Sequence, residues 1–174
     1  MDKIRIKNGL VLINSVEAKW PCLTQKSRRY SKYSLAIELE ANDASKLHRH
    51  MRSVYNDYQV KHPKSADLPF AEFSVDLGNG RMKFNLQNRQ EPTLLNPDGT
   101  AFVGTIGRGS IVRLAVEAVG FANSRCGISL RVMGVEVVEA VSESTIVREL
   151  FGHPAANDVE DLDNEWDEAD ISKH

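Results

Sequence analysis

Residues 110–141 read SIVRLAVEAVGFANSRCGISLRVMGVEVVEAV. Val112, Leu114, Val116 and Ala118 fall on alternate positions, the period-two signature of a strand with one buried face. Arg113 and Glu117 fall on the opposite face, in phase with Phe121. The second tract, Ile128 to Val141, is equally rich in β-branched residues, and Asn123-Ser124-Arg125-Cys126-Gly127 separates the two. Two long strands joined by a short polar link predict an antiparallel hairpin that closes the domain.

Upstream of the hairpin, Gly107-Arg108-Gly109 forms a turn. Before it come a short strand around Ala101–Gly104 and Asn96-Pro97-Asp98-Gly99, a strong turn signal. Arg81–Asn88 alternates cleanly, with Met82, Phe84 and Leu86 facing in and Arg81, Lys83, Asn85 and Gln87 facing out. Phe70–Leu77 reads as a short strand turning at Gly78-Asn79-Gly80, after a Pro-containing loop over 63–69. Leu47, Met51, Val54, Tyr55 and Tyr58 recur at helical spacing, in a helix capped by Asn42 or Asp43 and ended by His62-Pro63.

Tyr33–Glu40 is a further strand, preceded by a basic loop from Pro21 to Lys32. The first tract, Ile4 to Trp20, is also strand-forming. Ile4 and Ile6 alternate with Lys3, Arg5 and Lys7, and Gly9 marks a bulge or bend. Five or more strands with one inserted helix define a β-rich α+β chain. A Greek-key barrel of the OB type fits that order: long early strands, an intervening helix, then a closing hairpin.

The overall charge of −2 conceals an asymmetry. Residues 1–150 hold 21 Lys+Arg against 16 Asp+Glu, a net of +5, whereas residues 151–174 hold one Lys against eight acids, a net of −7. A basic body with an acidic end points to a nucleic-acid partner or an interaction tail. We expect 1–150 to be one domain and 151–174 a flexible acidic tail, because so much like charge with isolated Leu162, Trp166 and Ile171 cannot bury a core. No apolar run of membrane-spanning length occurs, and Met1–Lys7 lacks a signal-peptide core. The widely separated Cys22 and Cys126 suit free thiols in a reducing cytoplasm.

Enzymatic chemistry needs convergent groups, and none stands out. His48 and His50, two apart on a helix, do not share a face, and no HExxH, CxxC or Cys/His cluster is present. Gly104–Gly109 lacks the Lys-Ser/Thr of a phosphate loop. We therefore expect neither a metal nor a cofactor, and no enzyme. Binding is better supported. Single-strand binders need cations along a groove and aromatic faces for bases. The candidate cations are Lys3, Arg5, Lys7, Lys26, Arg28, Arg29, Lys32, Arg81, Lys83 and Arg108, and the candidate stacking rings are Trp20, Tyr30 and Phe121. The alternative class is a protein-interaction adaptor whose acidic tail docks a basic partner. An RNA ligand stays open.

In layout the chain resembles the bacteriophage single-stranded DNA-binding proteins of replication and recombination. Tyr33–Glu40, the helix at 44–61, Gly107–Val119, Ile128–Val138 and the tail at 158–170 carry that resemblance. It implies an OB-fold body that binds single-stranded DNA without base preference. It also implies an acidic C-terminus that recruits replication proteins such as DNA polymerase. The tail residues concerned are Asp158, Glu160, Asp161, Asp163, Glu165, Trp166, Asp167, Glu168 and Asp170. Such tails often finish on an aromatic or apolar residue. This one finishes Ile171-Ser172-Lys173-His174, so Trp166 becomes the expected apolar anchor. A homodimer is left open, and the implied location is cytoplasmic, in the host cell if the chain is phage-encoded.

Overall fold

The computed structural model describes residues 2–28 and 30–152. Arg29 and the acidic tail, with every candidate tail residue, lie outside the described residues. Nine strands and one long helix follow in order: β1 (Ile4–Lys7), β2 (Leu10–Glu17), β3 (Lys19–Cys22), β4 (Tyr33–Glu40), α1 (Ala41–Lys61), β5 (Ser74–Gly78), β6 (Arg81–Asn88), β7 (Thr93–Leu95), β8 (Ile111–Ala122) and β9 (Cys126–Glu139), then a short helix α2 (Glu143–Leu150).

The ladder runs β1-β2-β8-β9-β6-β4-β3, with β5 on β6 and β7 on β9. It is an open path, with no hydrogen-bonded closure between its two ends among the described residues. Its two sides are nonetheless joined covalently, because β2 pairs with β8, β3 pairs with β4, and only Ala18 separates β2 from β3. Ala18 is fully buried, receives Gly109 N–H and donates to Ser110 C=O. The result is an OB-like sheet, a partly open architecture.

The closing hairpin forms as its alternation dictates. Val112, Leu114, Val116 and Ala118 of β8 lie inside with Leu130, Val132, Val135 and Val137 of β9. β4 and β6 pair without a register shift from Tyr33↔Asn88 to Glu40↔Arg81, placing Leu35, Ile37, Phe84 and Leu86 in the same core. Helix α1 seals the core with Ala44, Leu47 and Met51. Each such large side chain contributes about 1.5–3 kcal/mol by leaving water. Tyr58 crosses to β8, where a Cβ at residue 120 would overlap its ring, so only Gly120 admits the helix this closely.

Several expectations need correction. Ile4–Trp20 is not one strand, and of the bulge or bend expected at Gly9 the structure shows the bend. The tract is a hairpin turning at Asn8-Gly9, whose φ values of 53° and 78° suit a two-residue primed turn. Ile6 is 52% exposed, at the outer end of a strand that forms the sheet edge. Neither Asn42 nor Asp43 caps α1; Glu40 occupies that position without a side-chain cap bond. Pro63–Asp67 forms a 3-10 turn. β7, parallel to β9, and α2 were not anticipated. Both cysteines are free, and the Cys126 thiol lies 3.1 Å from the Tyr55 hydroxyl.

Candidate nucleic-acid interface

The rim where β3 leaves the sheet is built by a local conflict. Lys19 pairs with Ala36 and Cys22 with Ser34, so three steps on β3 oppose two on β4. Pro21 has no N–H to give the ladder. The extra residue is absorbed at Trp20, whose backbone is left-handed at φ 48° and whose indole is 62% exposed. A left-handed backbone costs a bulky residue about 1–2 kcal/mol, which exposure of the ring does nothing to offset within the fold.

Arg108 stands over that indole, its guanidinium carbon 4.2 Å from the ring centroid. The turn carrying it is pinned on both sides. Gly109 N–H donates to Ala18 C=O, and Gly107 N–H donates to Val141 C=O. Buried Ser110 donates its hydroxyl to Gly107 C=O at 2.8 Å and accepts Val141 N–H at 2.9 Å. A cation over an exposed ring contributes about 0.5–1 kcal/mol. The pair is thus a preassembled flat face with a positive charge on it.

The loop between β3 and β4 is tied at its base, where Ser27 N–H donates to Lys32 C=O and Ser31 N–H to Ser27 C=O. Its tip carries Arg28 and a 64% exposed Tyr30. Lys26 sits 5.9 Å from the centroid of Tyr33. Lys32 Nζ donates to Gln87 Oε1 at 3.3 Å, which joins the loop to the outer face of β6. On that face Lys83 makes no ion pair with another described residue, whereas Arg81 is bound by Glu38 and, at 3.8 Å, by Glu40. Arg81 is therefore paired with two carboxylates, although its side chain stays half-exposed on the outward face that its alternation predicts.

Beyond β6 lies a cleft of about 290 Å³, lined among others by Phe73, Asn85, Gln87, Phe121 and Ser129. Phe121 is half-buried, and its ring lies over Gly127, where a Cβ would come within 3.1 Å of Cζ. The Phe73 wall is backed by His48. Its ring meets Phe73 and Phe84 edge-on at 5.1 and 5.3 Å, and Nε2 lies 3.0 Å from Ser74 Oγ. Burial, then the nearby Arg52, hold the His48 pKa below its ordinary value against an opposing pull from Glu72.

The structure thus brings Trp20, Arg108, Lys26, Arg28, Tyr30, Lys32, Lys83 and Phe121 to the rim, loop and outer face around β3, β4 and β6. It leaves Lys3, Arg5 and Lys7 elsewhere. Arg5 is in register with Leu12, Ala115 and Gly134, so this strip belongs to the outer face of β1, β2, β8 and β9. The sequence reading placed Asn85 and Gln87 outward but passed over them as site residues because they are uncharged; their outward phase with Lys83 was the available signal. Among the described residues, no group of three or more His, Cys, Asp or Glu is placed to hold a metal, and no helix is long and apolar enough to cross a membrane.

The β-rich sheet with one long helix defines an OB-like protein. No protein-family model matches the chain, and no curated protein matches it in sequence. Solved structures do match. The single-stranded DNA-binding protein gp2.5 of bacteriophage T7 superposes with a TM-score of 0.63 at 12% identity, over 79% of this chain and 96% of that one. The single-stranded DNA-binding protein of bacteriophage Enc34, in complex with single-stranded DNA, gives 0.63 at 13% identity, over 78% and 89%. A second structure of the Enc34 protein gives 0.57 at 16% identity, over 85% and 98%.

Proposed function

We propose that this protein binds single-stranded DNA without enzymatic action and serves replication, recombination and repair by covering unpaired strands. The observation that carries the reading is the exposed Trp20 ring held under Arg108 beside a cation-rich loop, on an OB-like sheet. Aromatic faces take bases irrespective of sequence, and the surrounding cations take phosphates. Lys26, Arg28, Arg29, Lys32, Lys83 and Arg108 are the phosphate contacts, and Trp20, Tyr30 and Phe121 the stacking rings. Lys3, Arg5 and Lys7 supply longer-range attraction from the neighbouring face.

The eight carboxylates of 158–170 have the charge and spacing to compete with a phosphate backbone for the same cations. In this reading the tail is displaced by DNA and then recruits basic partners such as a DNA polymerase, with Trp166 as its apolar anchor. The test is a titration of labelled single-stranded DNA, duplex DNA and RNA at two salt concentrations, with the full chain and a chain lacking 153–174. Single strands should bind best, with a log–log salt slope of about −2 to −4 for three to five neutralised phosphates. Truncation should tighten binding at low salt and less at high salt. Equal affinity for duplex, or a flat salt response, rejects the single-strand reading in favour of an adaptor role.

A further inference from the structure

Strand β6 pairs with β4 along one edge, but its other edge is shared. Phe84 and the residues before it pair with β5, through Ser74↔Phe84 and Val75↔Lys83. Leu86 pairs with β9, at Leu130. The two partners part company at Asn85, and the fork between them is the cleft of about 290 Å³. Two outward amides, Asn85 and Gln87, stand at its floor, and aromatic rings, Phe73 and Phe121, line it.

We infer that this fork is a base-binding pocket: it takes one unstacked nucleobase of the bound strand, edge toward Asn85 and Gln87 and face toward Phe121. The inference deepens the single-strand reading and rests on it. Four observations favour a neutral base over a phosphate. No Lys, Arg or His lines the cleft, and Glu72 does, so an anion is repelled inside it. Cations stand just outside, with Lys32 bonded to Gln87 and Lys83 two residues from Asn85 on the same face. The Asn85 side chain makes no hydrogen bond to another described residue, and the Gln87 side chain engages only its Oε1. A carboxamide offers a donor and an acceptor side by side, the complement of a base edge. Finally, the volume lies at the bottom of the range for small-molecule pockets, roughly 300–1,000 Å³, which suits a single base and excludes a stacked run. The platform is also preset, since Gly127 lets Phe121 lie on the sheet before any ligand arrives.

The test uses the full chain and fluorescence anisotropy with two labelled strands of equal length, one oligothymidine and one wholly abasic. The unaltered protein should prefer the base-bearing strand. The Asn85→Ala variant should lose about fivefold on the base-bearing strand and nothing on the abasic strand. Ser129→Leu, which fills the cleft from β9 and leaves both amides in place, should show the same pattern, and thermal melting checks that each variant is folded. Unchanged affinity for the base-bearing strand, or an equal loss on both strands, overturns the pocket while leaving single-strand binding intact. If the unaltered protein binds neither strand, the single-strand reading fails and the pocket with it.

Discussion

Two basic regions of this protein look alike in sequence and differ in space. The β1 strip places Arg5 and Lys7 at alternate positions on an edge strand, in register with Leu12 and Leu10. The rim and loop around β3 and β4 place similar cations beside Trp20, Tyr30 and the Phe121 cleft. Charge alone attracts any polyanion, whereas charge beside exposed rings selects a strand whose bases are unpaired. Under the proposed function, the difference teaches that the aromatic partner, not the count of lysines, marks the site.

The largest expected effect comes from removing the ring at the rim. Trp20→Ala should weaken binding to single strands by about 1–3 kcal/mol, roughly 5- to 150-fold, with little change in salt slope. The fold should survive, since the side chain is exposed and its left-handed backbone is no worse for Ala. An unchanged affinity measured by anisotropy would put both regions on the same footing and break the comparison.

Next in size is the loop. Lys26→Ala/Lys32→Ala should weaken binding on every base composition alike and make the log–log salt slope shallower by about one to two. A loss that varied with base composition would assign these lysines to base contacts instead. Arg5→Ala/Lys7→Ala should change affinity by less than about twofold at physiological ionic strength, where charges beyond about 8 Å are screened. A salt slope reduced as much as by the loop variant would place the β1 strip on the path of the DNA.

The smallest effect separates the regions by pH. His48 backs the Phe73 wall of the cleft, and His50 lies nearby on α1; burial holds both pKa values below the ordinary histidine value. Below about pH 6.5 the unfolded chain therefore binds more protons than the folded one, so stability is complete above that pH and declines as pH falls through it. Melting temperature should be lower at pH 5.5 than at pH 7.5, and His48→Gln should flatten part of that slope. An unaltered slope in the variant would show that the wall does not feel this histidine's charge.

Much of the sheet was legible because its strands are amphipathic. Arg81–Asn88 and the closing hairpin followed from alternation, with Phe84, Leu86, Val112 and Leu114 buried as their phase requires. The helix stripe at Leu47 and Met51 followed from its own period. The Asn8-Gly9 hairpin was equally available in the sequence, since adjacent Asn and Gly are the preferred pair for a primed turn. β7 was harder to see, because three residues pairing in parallel leave too short a pattern to register.

By itself the sequence determined the β-rich class, the position of the long helix, the asymmetry between a basic body and an acidic end, and the set of candidate cations and rings. Local period and composition carry all of these, and they depend on near neighbours along the chain. Tertiary structure alone decided which candidates meet. It set Arg108 over Trp20 across 88 residues, paired Arg81 with Glu38, separated the β1 strip from the rim, and opened a cleft where β5 and β9 compete for one edge of β6. All depend on strand order, and the first also on the register shift at Trp20. Strand order is set by packing the whole core at once, so no local stretch of sequence displays it.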